Sequence, residues 1–245
     1  LMSELKAGVL GLGAMGGPMA SNLAAAGLLV AVWNRTGEKA AAFAREHDVD
    51  VAGSPQELAA RCNVVLTCVS ADPDLEEVIG LMVPGLEPGD VVVDASTVNP
   101  LTAQLLARRL AEDGVAFVDA PVSGGVEGAI RGTLSVMAGG ESADIERIRP
   151  VLEAISGMVT HMGPVGSGQA TKAVNQVIVA GIAEGVCEAL ALSEKLNLPS
   201  VRLLSVLGAG AAGSWFLEHR GASMLENRFD TGFKPALLLK DLKIV

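Results

Sequence analysis

The 245-residue sequence contains no tyrosine, and only 5 Phe and 2 Trp supply its aromatic rings. Binders of single-stranded nucleic acid stack bases on such rings, so that class is poorly served here. The formal net charge is −10, with 28 acidic residues against 18 Lys and Arg. That balance argues against a polyanion partner, although a small basic patch can still hold an anionic ligand. The 3 cysteines, Cys62, Cys68 and Cys187, are odd in number and lack metal-ligand spacing. They read as buried free thiols of a reducing compartment, and no bound metal is expected. Histidine is equally scarce, and none of His47, His161 and His219 has a triad-like neighbourhood. Surface or structural places are expected for all three.

Long apolar runs are missing as well. No basic segment followed by an apolar stretch opens the chain, so no signal peptide is read. The most apolar stretch, residues 173–183, is far short of the ~20 residues needed to span a bilayer. A cytoplasmic protein with neither a membrane nor a nucleic-acid partner is expected. Leu1 ahead of Met2 reads as an appended residue. Val245 falls inside an apolar pattern without a helix stop, so a further C-terminal portion is expected.

What is present is a well-stocked core. Half of the residues are apolar and 19% are charged, enough for one large or two modest domains. Short β-branched runs alternate with helix-like stretches through the first half, and further short strands follow. Strands are expected at residues 7–11, 28–33, 64–69, 91–94, 116–119, 133–137 and 159–162, with helices at 15–26, 37–47 and 100–113. Continuous apolar strands such as 64–69 belong to parallel sheets covered on both faces. The alternation predicts a doubly wound α/β sheet. The pattern then changes near Gly166: from there to about Asn197 no strand signal and no proline occurs. One helix on the order of 45 Å long is expected. Being apolar on most sides, it is read as a buried spine. The fold expected is therefore α/β, with an N-terminal doubly wound domain of Rossmann type at residues 1–165. An all-α domain at 166–245 follows, entered through the long linking helix.

Gly11-Leu-Gly13-Ala-Met-Gly16 is a G-x-G-x-x-G turn between a predicted strand and a predicted helix. Gly11 suits a tight turn, Gly13 lets the backbone approach a pyrophosphate, and Gly16 lets the helix pack close to the strand. The turn as a whole, with Leu12, Ala14 and Met15, then offers helix N-terminal N–H groups to the phosphates. An NAD enzyme places a carboxylate at the end of the second strand. Here that region reads Trp33-Asn34-Arg35-Thr36, and Arg35 suits the 2′-phosphate of NADP. NADP is expected in preference to NAD, with Asn34 and Thr36 beside Arg35. A solvated Arg35 with dual cofactor use is the plain alternative.

Lys172 lies early in the long helix among Ala, Val and Thr. A lysine there is expensive unless it faces a cavity or a partner, and desolvation would bring its proton exchange towards neutral pH. Asn175 and Gln176 follow at the spacings that share its helix face. Spacing alone leaves a proton donor and a lysine snorkelling to the surface equally open. Asp119-Ala-Pro-Val-Ser123-Gly124-Gly125 follows a strand. It can hold a carboxylate through a hydroxyl and open backbone N–H groups, or be a simple Pro/Gly turn.

Five segments in this order carry a resemblance. They are residues 11–23, 119–125, 132–140 (Gly-Thr-Leu-Ser-Val-Met-Ala-Gly-Gly), 166–172 (Gly-Ser-Gly-Gln-Ala-Thr-Lys) and 240–242 (Lys-Asp-Leu). The sequence resembles the β-hydroxyacid dehydrogenase family, which includes 3-hydroxyisobutyrate dehydrogenase and tartronate semialdehyde reductase, over essentially its whole length. The resemblance implies an active site in the cleft between a dinucleotide-binding domain and a helical domain. It implies that Lys172 is the general acid in reduction and the general base in oxidation. It places the family's amide on Asn175 or Gln176, with Asn175 favoured as catalytic and Gln176 beside the substrate. Ser123, Gly124 and Gly125 match the substrate-carboxylate loop. Val69 and Ser70 match a loop along the cofactor, Thr97 a residue near the nicotinamide, and Lys240 a lysine reaching cofactor or substrate with Asp241 in support. The implied partner is a small anionic hydroxyacid or semialdehyde, and the implied assembly a homodimer or homotetramer formed through the helical domain. A catalytically silent cofactor-binding protein and an imine reductase-like relative are the alternatives, and the retained Lys172 argues against both. The segment 213–220, with Met224 and Phe229, is expected to shape the far side of the pocket, although Trp215 and Phe216 suit a core equally well.

Overall fold

The computed structural model describes residues 5–229 and 235–244, so Leu1, Met2 and Val245 lie outside the described residues. The first elements are β1 (Ala7–Leu10), α1 (Gly16–Ala25), β2 (Leu29–Trp33), α2 (Gly37–His47), β3 (Asp50–Val51), α3 (Pro55–Arg61), β4 (Val64–Thr67) and α4 (Asp72–Met82). After them come β5 (Val91–Asp94), α5 (Pro100–Glu112), β6 (Ala116–Asp119), β7 (Val122–Ser123), α6 (Gly125–Arg131) and β8 (Leu134–Gly139). Two short helices, α7 (Ser142–Arg147) and α8 (Arg149–Ala154), lead to β9 (Ser156–Gly163). The rest is helical: α9 (Ser167–Lys195), α10 (Ser200–Gly208), α11 (Trp215–Leu225) and α12 (Pro235–Leu242).

Among the described residues the strands form one sheet in the order β3-β2-β1-β4-β5-β6-β8-β7, with β9 alongside β8. The six strands from β3 to β6 are parallel. β8 runs antiparallel to β6 and β7, and β9 parallel to β8. The continuous apolar runs have the expected cause. Val64, Leu66, Val91 and Val93 enter a core on one face with Met19 and Leu23 of α1. Val65 and Val92 enter the core on the other face, with Leu58 of α3, Ile79 and Met82 of α4 and Leu110 of α5. Strand order reverses at β1, which lies between β2 and β4, and ligands of open α/β sheets bind beyond the carboxyl ends of strands at such a point.

The sheet is larger than the sequence pattern suggests. β3 and β7 are two residues each and carry no period that a pattern could reveal. β9 begins at Ser156, three residues before the expected start, because it is an edge strand with mostly exposed side chains.

The chain divides into two compact units, one ending at Lys172 and the other starting at Ala173. The second has a small core of Val186, Leu190 and Leu217, against which Leu204, Phe216 and Met224 pack. Phe216 is thus a core residue, whereas Trp215 is 45% exposed and Phe229 70% exposed.

The expected buried spine is corrected. Helix α9 has the expected length, but only 22% of its most apolar 18-residue window is buried. Its inward residues include Lys172, Gln176, Val186, Leu190 and Ser193, while Val174, Val177 and Ile178 are exposed. The polar groups find partners on the inward side, so part of the apolar surface is left facing out. Measured over the helix rather than over residues 173–183, the segment is also long and apolar enough to cross a membrane by length and composition, with a mean hydropathy of 1.5. Cys62 is buried, Cys68 is half-buried, and Cys187, on the outer side of α9, is exposed rather than buried.

Candidate functional site

The glycine turn sits at the carboxyl end of β1, where the strand order reverses. Gly11 has φ +97°, and a Cβ on it would lie 2.2 Å from the Cys68 carbonyl oxygen. A Cβ on Gly16 would lie 1.9 Å from the Gly11 carbonyl oxygen, whereas one on Gly13 meets nothing within 4 Å. The outer two glycines therefore answer to the protein's own packing. Gly13 and Ala14 are exposed, with room for a group to approach the backbone. No side chain caps α1, and no acidic residue stands in its first turn. An open helix N-terminus behind an exposed glycine fits a pyrophosphate, so these residues suit a dinucleotide.

One of the expected cofactor residues, Asn34, bonds within the protein at this turn. Asn34 Oδ1 accepts the Leu12 N–H at 2.9 Å, and its Nδ2 donates to the Thr36 carbonyl at 3.0 Å. Asn34 thus ties the turn to the end of β2. Arg35 is exposed, and its Nη2 lies 2.8 Å from Asp74 and 3.2 Å from Glu77 on α4. Its guanidinium, free to meet a phosphate in the sequence reading, has two carboxylates beside it.

A second group of residues gathers at the carboxyl ends of β4, β5 and β6. Each strand ends on a polar residue, and these stand in register as Thr67, Asp94 and Asp119. Asp94 is fully buried; its Oδ1 accepts Thr67 Oγ1 at 2.8 Å, the Ser96 N–H at 3.1 Å and Ser96 Oγ at 2.6 Å. Ser96 Oγ in turn accepts the Val69 N–H at 2.9 Å. The Val69–Ser70 and Ser96–Thr97 segments are thereby joined, with Ser70 exposed and Thr97 half-buried. Asp119 accepts the N–H groups of Gly166 and Gln169, both at 2.8 Å, and so caps the start of α9.

Lys172 lies one turn into that helix and is 8% exposed. Its Nζ donates to the Val122 carbonyl at 2.8 Å. This places the ammonium beside the segment that continues as Ser123, Gly124 and Gly125. The pairing of Ser123 with Ser135 on β8 fixes the hydroxyl-bearing residue. Gly124 and Gly125 follow with φ +128° and +65°, and both are exposed. Sequence reading left Lys172 open between a cavity and the surface; the structure buries it.

The second unit holds the remaining expected residues. Gln176 Nε2 donates to Asp241 Oδ2 at 2.6 Å, and Asn175 Nδ2 donates to Gln176 Oε1 at 2.9 Å. Lys240 Nζ lies 2.9 Å from Asp241 Oδ1. Asp241, 3% exposed, is thus the common acceptor that orders Gln176 and Lys240. The histidines stand apart from these groups. His47 is paired with Ser21 at 3.0 Å, His161 with the Gly140 and Gly163 carbonyls, and His219 stacks on Trp215.

Asp94, Ser96 and Gln169 carry no role in the sequence reading. The available signal was the polar residue that closes each of three successive apolar strands. Burial pushes both carboxyl groups up, Asp94 to about 6 and Asp119 to about 6, against the pull of their hydrogen-bond donors. An ordinary aspartate titrates at about 3.9. Between that value and its own, folded Asp94 holds a proton that the unfolded chain has lost. Its contribution to stability is then largest below about pH 4 and falls as the pH rises through about 6. Asp94→Asn keeps the Oδ1 acceptor and puts its amide N–H groups where Asp94 Oδ2 has no hydrogen-bond partner among the described residues. Urea unfolding at about pH 4 and pH 7 should show wild type losing roughly 1–3 kcal/mol relative to this variant. A pH-independent difference between the two would disprove the assignment.

Two family models match the chain: the NAD binding domain of 6-phosphogluconate dehydrogenase over residues 6–163, and the NAD-binding region of NADP-dependent 3-hydroxyisobutyrate dehydrogenase over residues 166–245. The 2-hydroxy-3-oxopropionate reductase of Escherichia coli (strain K12) is 39% identical over 244 residues, 98% of this chain and 82% of that protein. Mycobacterium tuberculosis 3-hydroxyisobutyrate dehydrogenase, solved with L-serine, matches with a TM-score of 0.86 and 33% identity, over 98% of this chain and 84% of that one. Psf3, solved in complex with NADP+ and 2-OPP, matches with a TM-score of 0.90 and 28% identity, over 97% and 85%. With its parallel sheet, glycine turn and helical second unit, the chain belongs to the β-hydroxyacid dehydrogenase family and is an NAD(P)-dependent oxidoreductase acting on CH–OH groups.

Proposed function

We propose that the protein interconverts a small 3-hydroxyacid and its semialdehyde, of the 3-hydroxyisobutyrate or the tartronate semialdehyde/glycerate type, with Lys172 as general acid and base. The observation that carries this reading is the burial of the Lys172 ammonium against the Val122 carbonyl, one residue before Ser123. A proton donor and an anion-holding loop then belong to one small region. In reduction, Lys172 Nζ gives a proton to the forming alkoxide oxygen; in oxidation it takes the proton from the hydroxyl. Ser123 Oγ and the backbone of Gly124 and Gly125 hold the substrate carboxylate. Asn175 is the amide assigned to the catalytic group, Gln176 to the substrate and Lys240 to the cofactor. The nicotinamide cofactor, when bound, supplies or accepts the two-electron equivalent at the carbonyl carbon. The turn from Gly11 to Gly16 would hold its pyrophosphate, and Val69, Ser70 and Thr97 would line its nicotinamide half.

NADP is the preferred cofactor in this reading, through Arg35 with Asn34 and Thr36. Asp74 and Glu77 hold the same guanidinium, so a 2′-phosphate competes with them for it. The exposed face of α9 supports a homodimer or homotetramer. Val174, Val177 and Ile178 are at least half exposed there. Gly181 and Gly185 offer places where a Cβ would meet nothing within 4 Å, so another helix can approach closely.

Three measurements test this reading. Lys172→Ala should lower turnover by about 10²–10⁴-fold on whichever short hydroxyacid the wild type oxidises, with cofactor affinity retained; near-normal turnover would remove Lys172 from its role. Arg35→Ala should raise the NADP KM about tenfold or more and leave that of NAD nearly unchanged, while Asp74→Asn should lower the NADP KM. A wild type that prefers NAD overturns the cofactor assignment. In sedimentation velocity, wild type should run as a dimer or larger and Ile178→Glu should shift towards monomer. A monomeric wild type rules out self-association.

A further inference from the structure

Gln169 is 1% exposed and lies three residues before Lys172 on α9. Its side chain makes two bonds to one short segment. Nε2 donates to the Ser96 carbonyl at 2.8 Å, and Oε1 accepts the Val98 N–H at 3.2 Å. These two backbone groups flank Thr97, so the amide grips that residue's neighbours much as an adjoining β-strand would. The backbone of Gln169 is held as well, through its N–H to Asp119 Oδ2. The first turn of α9 packs closely on the strand ends. A Cβ on Gly168 would lie 2.3 Å from the Met137 carbonyl and 2.6 Å from that of Asp119. Ser96, on the far side of the grip, is fastened to Asp94 and carries the Val69 N–H.

We infer that Gln169 is a positioning residue that sets the distance between the Thr97 segment and Lys172. This rests on the roles given to Thr97 and Lys172 under Proposed function. One end of the amide grips the backbone around the residue assigned to the nicotinamide. The other end is a rigid helical turn that leads to the proton donor. Proton delivery and transfer at the carbonyl carbon must be aligned together, and a displacement of about 1 Å costs on the order of 10²-fold in rate. An apolar side chain would fill the same buried space without desolvating an amide. Only a group with a donor and an acceptor at this separation fixes the register between the helix and the segment.

The test uses Gln169→Met and Gln169→Glu in the full chain, with the hydroxyacid that the wild type turns over. Gln169→Met should lower kcat by about 10–100-fold with the cofactor KM within about threefold, and should change the primary isotope effect measured with the hydroxyacid deuterated at the carbon that bears its hydroxyl. In Gln169→Glu the new carboxylate faces the Ser96 carbonyl and repels it, whereas its protonated form can donate to it. Turnover of that variant relative to wild type should therefore recover as the pH is lowered. Unchanged kcat and isotope effect in Gln169→Met overturn the inference. So does a loss of turnover that only follows the folded fraction, with the isotope effect unchanged. If Gln169→Met does not fold, the pH recovery of Gln169→Glu decides, and its absence overturns the inference. A wild type inactive on every short hydroxyacid overturns the proposed reaction instead. Amide exchange at Val98 then tests the grip alone: it should quicken at least tenfold in folded Gln169→Met, which lacks the acceptor, and unchanged exchange overturns it.

Discussion

The Asp119 carboxylate accepts the N–H groups of Gly166 and Gln169 at the point where the last turn out of the sheet becomes a helix of 29 residues. Hydrogen bonds to a charged acceptor are worth about 1.5–3 kcal/mol each, and these two are buried, where losing either would leave a polar group unmatched. The space for them comes from missing side chains. A Cβ on Gly139 would lie 2.4 Å from Asp119 Oδ1, and one on Gly168 would press on the Asp119 carbonyl. From this anchor follow the burial of Lys172 and the reach of Gln169 to the segment around Thr97. Burial works against the anchor, pushing Asp119 up to about 6, so the first unit gives up some stability at neutral pH to hold its loops in register.

The same arrangement ties the loops beyond β4, β5 and β6 into one body. Thr67, Asp94 and Ser96 link neighbouring strand ends, Ser96 carries Val69, and Gln169 brings in the helix. Each bond is short and local, yet together they join residues far apart in sequence. An apolar core holds elements together without fixing their register closely. A buried polar chain does so because each donor must meet its own acceptor.

The glycine turn was legible because its chemistry is local: a strand, three glycines and a helix within a dozen residues. The strand–helix alternation was legible because side-chain period and apolar runs report directly on burial. The two-residue strands β3 and β7 were not, since they exist only through their neighbours. The outer face of α9 was misread for a related reason. Composition says that a helix is apolar, but not which of its sides finds a partner. Asn34 was assigned to the cofactor, and the structure shows its side chain bonded within the turn; nothing in Trp33-Asn34-Arg35 separates those uses.

The sequence by itself determined the α/β sheet with its helical second part, the glycine turn between strand and helix and the place of Lys172 on a long helix. These depend on periodicity and on residue types at fixed spacing along one strand or helix. Only the tertiary structure decided that Lys172 is buried against Val122, that Arg35 lies between Asp74 and Glu77, and that Asp94, Asp119 and Gln169 knit the strand ends together. Those facts rest on hydrogen bonds between residues 27 to 73 positions apart, and such distances are closed by folding and leave no spacing to read.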